Sequence, residues 1–298
     1  MNPNVMHLHL ENGDLAADVC PVAGGSLGRF EARGQAMLRR APDLGATDPL
    51  EMACYPLIPF SSRVAHARFR FEGRDVTLPP DALSAPHALH GIGWRRAWDV
   101  IEEADTQAEI GFTHQPPAHG EKGWPWAFEA RQTFALDGTA LTIAISIANK
   151  AETAMPAGLG LHPFFEGRTT AKLTGDLPRI WEADADCLPT HLAEVTAVRK
   201  FARGRRIAPL TLDNCFAGGA DPLDIEWEDR PLGLRMTRSD TSHTVIYTPQ
   251  AHDFFCVEPV THMPNALNRP EPAEVTGLRV LAPGETMRLE CRFEVRGL

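Results

Sequence analysis

Short segments in which apolar and polar residues alternate, each closed by turn residues, recur along this chain and constrain its fold more than any other feature. They read "MHLHLENGDLAADVCPVAGG", "SLGRFEARG", "ARFRFEGRDVTL", "AWDVIEEADTQAEIGFTH", "FEARQTFALDGTALTIAISIAN", "LGLRMTRSDTSHTVIYTP" and "ETMRLECRFEV". Apolar side chains at every second position give a strand one buried face, whereas a helix needs them three and four apart. Asn12-Gly13, Glu72-Gly73 and Asp137-Gly138 stand where hairpin loops belong, and "RQTFALDGTALTIAISI" is the plainest hairpin. The expected class is therefore all-β with antiparallel sheets. Proline, 25 residues in all, gathers in connections such as "CYPLIPF" and "THMPNALNRPEP", where it fixes loops without breaking a ladder. No repeat, low-complexity linker or charge run divides the chain, so one domain over residues 1–298 is expected. A short helix has room in 35–55, and 186–203 carries no clear pattern.

Charge and cysteine usage narrow the function. Lys plus Arg number 29 against 39 Asp plus Glu, a net charge of -10, and such a field repels phosphate backbones and anionic membranes. Neither nucleic acid nor membrane is an expected partner. The six cysteines stand scattered among mostly apolar neighbours without C-x-x-C pairing, as reduced thiols do. "MNPNVMHLHLENGDL" lacks the basic and apolar regions of a signal peptide, and no apolar run reaches bilayer length, so a soluble cytoplasmic protein is expected.

Some motifs can be set aside. "GGSLG" fits G-x-S-x-G around Ser26, but an alternating strand pattern follows it, so a glycine-rich β turn is the better account. His7 and His9 share one strand face without a third ligand at metal-site spacing. No P-loop or G-x-G-x-x-G is present, and no nucleotide cofactor is expected.

Other stretches keep two accounts open. His162 in "GLGLHPFF" is a satisfied core histidine or a functional imidazole. Arg63, after the proline-fixed "YPLIPFSS", is a salt-bridged surface arginine or a donor-only ligand holder. His87 and His90, followed by two glycines, suit a metal pair or hydrogen bonding to a polyol. Asp213 and Asn214 in "TLDNCF" suit an Asx turn or a site. Glu258 emerges from "FFCV", and burial there raises a carboxylate toward neutrality, where a base can operate.

Taken in order, "YPLIPFSSR", "ALHG", "GLGLHPFF", "LDNCF" and "EPVTHMPNALN" resemble the aldose 1-epimerase, or galactose mutarotase, family. The resemblance implies a β-supersandwich of twisted antiparallel sheets with a long open sugar cleft. It implies Glu258 as general base, His162 as general acid, and Arg63, His90 and Asp213 as holders of sugar hydroxyls. It also implies a cofactor-independent isomerase without metal, acting as monomer or homodimer on a monosaccharide. Anomer exchange needs one base at O1 and one acid at the ring oxygen, with His162 expected near the ordinary imidazole value of about 6.5. Three alternatives remain: a hexose-6-phosphate 1-epimerase using Arg95 or Arg96, a non-catalytic carbohydrate-binding protein, and a glycosidase pairing Asp213 with Glu258.

Overall fold

In the computed structural model, which describes residues 7–118 and 120–298, the alternating segments become strands of two large antiparallel sheets, except that "ARFRFEGRDVTL" forms a separate two-stranded hairpin of Arg68–Phe71 and Arg74–Thr77. The first residues of the N-terminal segment and His119 of the "PPAHG" loop lie outside the described residues. One sheet runs, in spatial order, through Leu8–Asn12, Leu15–Cys20, Ser26–Ala32, Cys54–Leu57, Gly160–Glu166, Phe254–Val260, His243–Tyr247, Asp213–Ala217, Arg179–Ala183 and Pro189–Glu194. The other runs through Asp99–Ala104, Gln107–His114, Phe128–Leu136, Ala140–Asn149, Thr286–Arg296, Gly233–Ser239, Leu223–Trp227, Ala171–Thr174 and Arg205–Arg206.

The expected hairpins form where their turn residues stand. Leu136 pairs with Leu141, and Asp137 Oδ1 accepts from the backbone N–H groups of Thr139 and Ala140, closing the turn. Asn12 pairs with Leu15 across Gly13, and Phe71 with Arg74 across Glu72 and Gly73. Those last two residues have φ of 46° and 82°, the left-handed pair that a two-residue hairpin loop requires.

The segment 35–55 corrects one expectation. It folds into the two-residue strand Gln35–Ala36 and the single 3-10 turn Pro49–Glu51, not an α-helix. Asp48 caps that turn through Leu50 N–H, but Pro49 and the irregular chain before it supply no apolar face to extend it. Within 186–203 lie the strand Pro189–Glu194 and the 3-10 turn Ala197–Arg199. No helix among the described residues is long and apolar enough to cross a membrane.

The period of two sorts side chains between two faces of the first sheet. Leu161, Phe165, Phe255, Val257, Ile246 and Phe216 point into the core shared with the second sheet. Their neighbours Phe164, Cys256, Val245 and Cys215 join a separate apolar cluster on the opposite face. Both faces of these central strands are thus covered, which is why "FFCV" reads as continuously apolar. A polar group packed among these side chains, as His162 and Glu258 are, sits in a nearly dry environment, and the candidate site is built there.

Candidate active site

Strand register alone assembles the site. In the pair Gly160–Glu166 and Phe254–Val260, Gly160 faces Val260 and Phe164 faces Cys256, which sets His162 opposite Glu258. His162 also faces Tyr55 on its other side. Glu258 faces Val245, Cys256 faces Tyr247, and Tyr247 faces Asp213. Two rungs of side chains therefore cross the sheet on one face. One holds Tyr55, His162, Glu258 and Val245; the next holds Phe164, Cys256, Tyr247 and Asp213.

His162 Nε2 lies 3.4 Å from Glu258 Oε1, and both side chains are buried. The imidazole is clamped between Tyr55 and Phe164, whose rings stack on it at centroid distances of 4.5 and 4.6 Å. Above the pair opens a cleft of about 680 Å³ lined by Arg63, His90, Asp213, Tyr247 and Phe254, among others. All five residues named from the sequence border this one cleft.

Arg63 and His90 arrive together because two loops are zipped. Arg63–Val64 pairs with Ala88–Leu89, Ser62 N–H donates to His90 Nδ1 at 3.1 Å, and His90 N–H donates to Ser62 carbonyl at 2.9 Å. Both Ser62 and His90 adopt left-handed backbone, φ 55° and 57°, a conformation such residues hold only when neighbours impose it. With Nδ1 accepting, a neutral His90 carries its proton on Nε2 and is a donor. Burial and the nearby His162 and Arg63 push its pKa well below the ordinary value. The glycines after His90 approach protein and not ligand: a Cβ on Gly91 would lie 2.1 Å from Ile58 carbonyl oxygen, and one on Gly93 2.1 Å from Ile58 Cγ2. His87 Nδ1 accepts from His66 N–H at 2.9 Å.

Asp213 opens a strand and is paired with Arg63, Nη2 to Oδ2 at 3.3 Å. The Asx-turn account is thereby replaced, because Asn214 also lies in the strand and donates to Trp181 carbonyl. The segment "EPVTHMPNALN" behaves as a clasp. Thr261 Oγ1 accepts from Leu159 N–H, His262 Nε2 from Ser61 N–H, and Asn265 Oδ1 from Ala65 N–H. It thus binds the flank of His162 and the flank of Arg63 to the strand that carries Glu258.

One glycine of "GLGLHPFF" is fixed by that clasp. A Cβ on Gly158 would stand 1.9 Å from His262 Cδ2 and 2.2 Å from its Nε2, and the ring is held at both nitrogens, by Ser61 N–H and Met263 carbonyl. Gly158→Ala is expected to cost about 3 kcal/mol or more of folding stability. Urea unfolding checks this; a midpoint equal to the parent's would refute the packing account.

The protonation pattern departs from expectation in one respect. Burial holds the His162 imidazole down to about 3, far from the ordinary value expected from the sequence. Burial, reinforced by Asp213 and opposed by Arg63, pushes Glu258 well above the carboxylate range. Both shifts follow from the covered face: a dry site penalises a charge on either partner. Each shift favours the uncharged form of its group.

Sequence reasoning missed Arg39. It has no motif, and the irregular 35–55 segment brings it in. Its guanidinium lies 3.8 Å from the Phe164 ring centroid and donates to Leu50 carbonyl at 2.6 Å, bracing one wall of the cleft. Phe164, Tyr247 and Phe254 were also unnamed, although their parity with His162 and Glu258 along the strands places them on the same face. Arg95 and Arg96 do not line this cleft. Arg95 gives both donors to Asp81 at 3.0 and 3.2 Å and lies over Trp94, while Arg96 borders a separate pocket. The other early candidates serve structure: Ser26 is buried and donates to Ala23 carbonyl, and His9 joins Asp18, 2.7 Å away.

Fold and site together define a galactose mutarotase-like β-supersandwich whose cleft holds a buried histidine–glutamate pair. The chain belongs to the Aldose 1-epimerase family, whose sequence model matches residues 6–294. It is 27% identical over 299 residues to the uncharacterized protein YphB of Escherichia coli K12, covering 97% of this chain and 98% of that protein. The crystal structure of an Escherichia coli K12 protein provisionally assigned as an aldose 1-epimerase superposes with a TM-score of 0.87 at 26% identity, over 98% of this chain and 99% of that one. A galactose mutarotase-like protein from Clostridium acetobutylicum shares the fold at 18% identity, with a TM-score of 0.87 over 97% and 95% of the two chains.

Proposed function

We infer that this protein interconverts the α and β anomers of a free aldose through Glu258 and His162. The observation that carries the inference is the 3.4 Å juxtaposition of His162 Nε2 and Glu258 Oε1 at the base of a polar-rimmed cleft. Ring opening requires that the O1 hydroxyl lose a proton while the ring oxygen gains one. Two proton-transfer groups a few ångström apart on one side of the sugar can do both.

In the working form the proton of the pair sits on His162 and Glu258 is a carboxylate. Arg63 favours that form by its positive charge, opposing the burial that disfavours a charged Glu258. Glu258 takes the O1 proton, His162 Nε2–H protonates the ring oxygen, and the C1–O5 bond breaks as the C1–O1 carbonyl forms. The pair is then left in its uncharged distribution, which the dry site favours. Stabilising the opened stage in preference to the closed sugar is what lowers the barrier. Rotation about C1–C2 and return of both protons gives the other anomer. No step consumes an oxidant or reductant.

Arg63, His90 and Asp213 supply donors and an acceptor around the pair, which suits sugar hydroxyls. The contact of Arg63 with Asp213 supports reading Asp213 as a holder in preference to the second carboxylate of a glycosidase. The rim supplies no arginine for a phosphate from the Arg95–Arg96 turn.

Polarimetry of freshly dissolved α-glucose, α-galactose and pentoses tests the inference: equilibration should run well above the buffer rate. A panel of free and phosphorylated aldoses with no response sinks it. Asp213→Asn and Arg63→Ala should raise KM about tenfold or more while leaving kcat less affected, since each loses charged hydrogen bonds to hydroxyls. A kcat loss with unchanged KM would assign them to the chemistry instead.

A further inference from the structure

Cys256 stands one rung from the acid/base pair and takes no part in proton transfer. It lies two residues before Glu258 and faces Phe164, so its side chain falls on the same sheet face as His162 and Glu258. A ligand atom from each of His162, Cys256 and Glu258 lies within 4.8 Å of the other two, and all three residues are buried. His162 Nδ1 has no hydrogen-bond partner among the described residues, so that nitrogen is not already engaged.

We propose that His162, Cys256 and Glu258 form a binding site for a thiophilic divalent cation, with Zn²⁺ as its probe, and that occupancy switches off the acid/base pair. One nitrogen, one sulfur and one carboxylate oxygen make a borderline-soft donor set, and bonds of about 2.0 to 2.3 Å to each require the three atoms to close in by about 1 Å. Two of the side chains sit on one strand and the third directly across from it, so rotamer changes suffice. The fourth position faces the cleft, through which the ion enters and where water completes the shell.

Charge balance favours the complex despite burial. Bound as thiolate and carboxylate, Cys256 and Glu258 neutralise the dication, and any proton displaced on binding goes to solvent. A coordinating thiol is deprotonated by the ion itself, so the burial that keeps Cys256 protonated in the empty site is overcome on binding. The donors come from two strands 94 residues apart in sequence (162 to 256), so no short metal-ligand spacing betrays them.

Binding is independent of the epimerase reading; inhibition rests on it, and the experiment separates the two. Titration of the intact protein with Co²⁺ should give a thiolate-to-metal charge-transfer absorption, and calorimetry with Zn²⁺ should show one site. Cys256→Ala, or Cys256→Ser if the cavity prevents folding, should lose the cobalt band and weaken Zn²⁺ binding at least about tenfold. The metal-free anomerisation rate should survive that replacement. Cys187→Ser, which alters a partly exposed thiol beside Asp213 and outside the three-donor set, should leave binding unchanged. Polarimetry should show the parent rate falling as Zn²⁺ fills the site and returning with a chelator, with Cys256→Ala resistant. Zn²⁺ binding that is absent, or that is undiminished in both Cys256 variants, overturns the site. Cobalt binding without a thiolate band overturns it equally. Binding as described with an unaffected anomerisation rate overturns the switch alone, and a protein that binds metal but turns over no sugar counts against the epimerase reading alone.

Discussion

Glu258→Gln should lower the anomerisation rate by about a hundredfold to ten-thousandfold, the usual worth of a positioned proton-transfer group. Glutamine has the shape of the protonated acid that the buried site prefers, so sugar binding and the fold should persist. Stability should hold or rise, since a carboxyl that burial disfavours is gone. His162→Asn should cost a comparable factor. The double variant should be little worse than either single one, because removing one member of an acid/base couple already disables the other. Polarimetry with calorimetric sugar binding decides the matter. A wild-type rate in either single variant overturns the assignment, and loss of sugar binding in Glu258→Gln would make the carboxylate a ligand holder.

Acid should unfold this protein in a defined window. His262 and His243 are both held down to about 4, in each case chiefly by burial. The His262 ring donates from Nδ1 to Met263 carbonyl and accepts at Nε2 from Ser61 N–H, a pattern open only to the neutral imidazole. Below about 6.5 the unfolded chain binds protons at these histidines while the folded chain does not. Stability should therefore fall as pH drops from about 6.5 toward 4, by a few kcal/mol. His90 and His162, also lowered by burial, act with the same sign. Glu258, raised, acts with the opposite sign. Urea unfolding of Glu258→Gln at pH 7 and pH 4.5 removes that counter-term and should show a clear drop in midpoint. Equal midpoints at the two pH values would mean that the buried histidines are already charged in the folded state.

Much of the fold was legible because strand formation is written in local alternation. "RQTFALDGTALTIAISI" needed only its period and its Asp-Gly turn to be recognised, and its register matches. The segment 35–55 was not legible, since its course follows contacts with distant strands, such as Arg39 N–H bonded to Phe164 carbonyl. The site was partly legible. Each named residue stood in a stretch whose polarity clashed with its apolar or proline-rich surroundings, but Arg39 and Cys256 carried no such clash.

The sequence by itself determined the all-β class and the hairpins, because parity along a strand and turn chemistry act over a few neighbouring residues, and its resemblance to a known family singled out the five cleft residues. Only the tertiary structure decided that His162 and Glu258, 96 residues apart in sequence (162 to 258), face each other, that the flanking glycines yield to His262 and Ile58 rather than to a ligand, and that the imidazole is far less basic than its type suggests. Register between distant strands and burial on both sheet faces produce those three outcomes, and neither quantity exists until the sheets have packed.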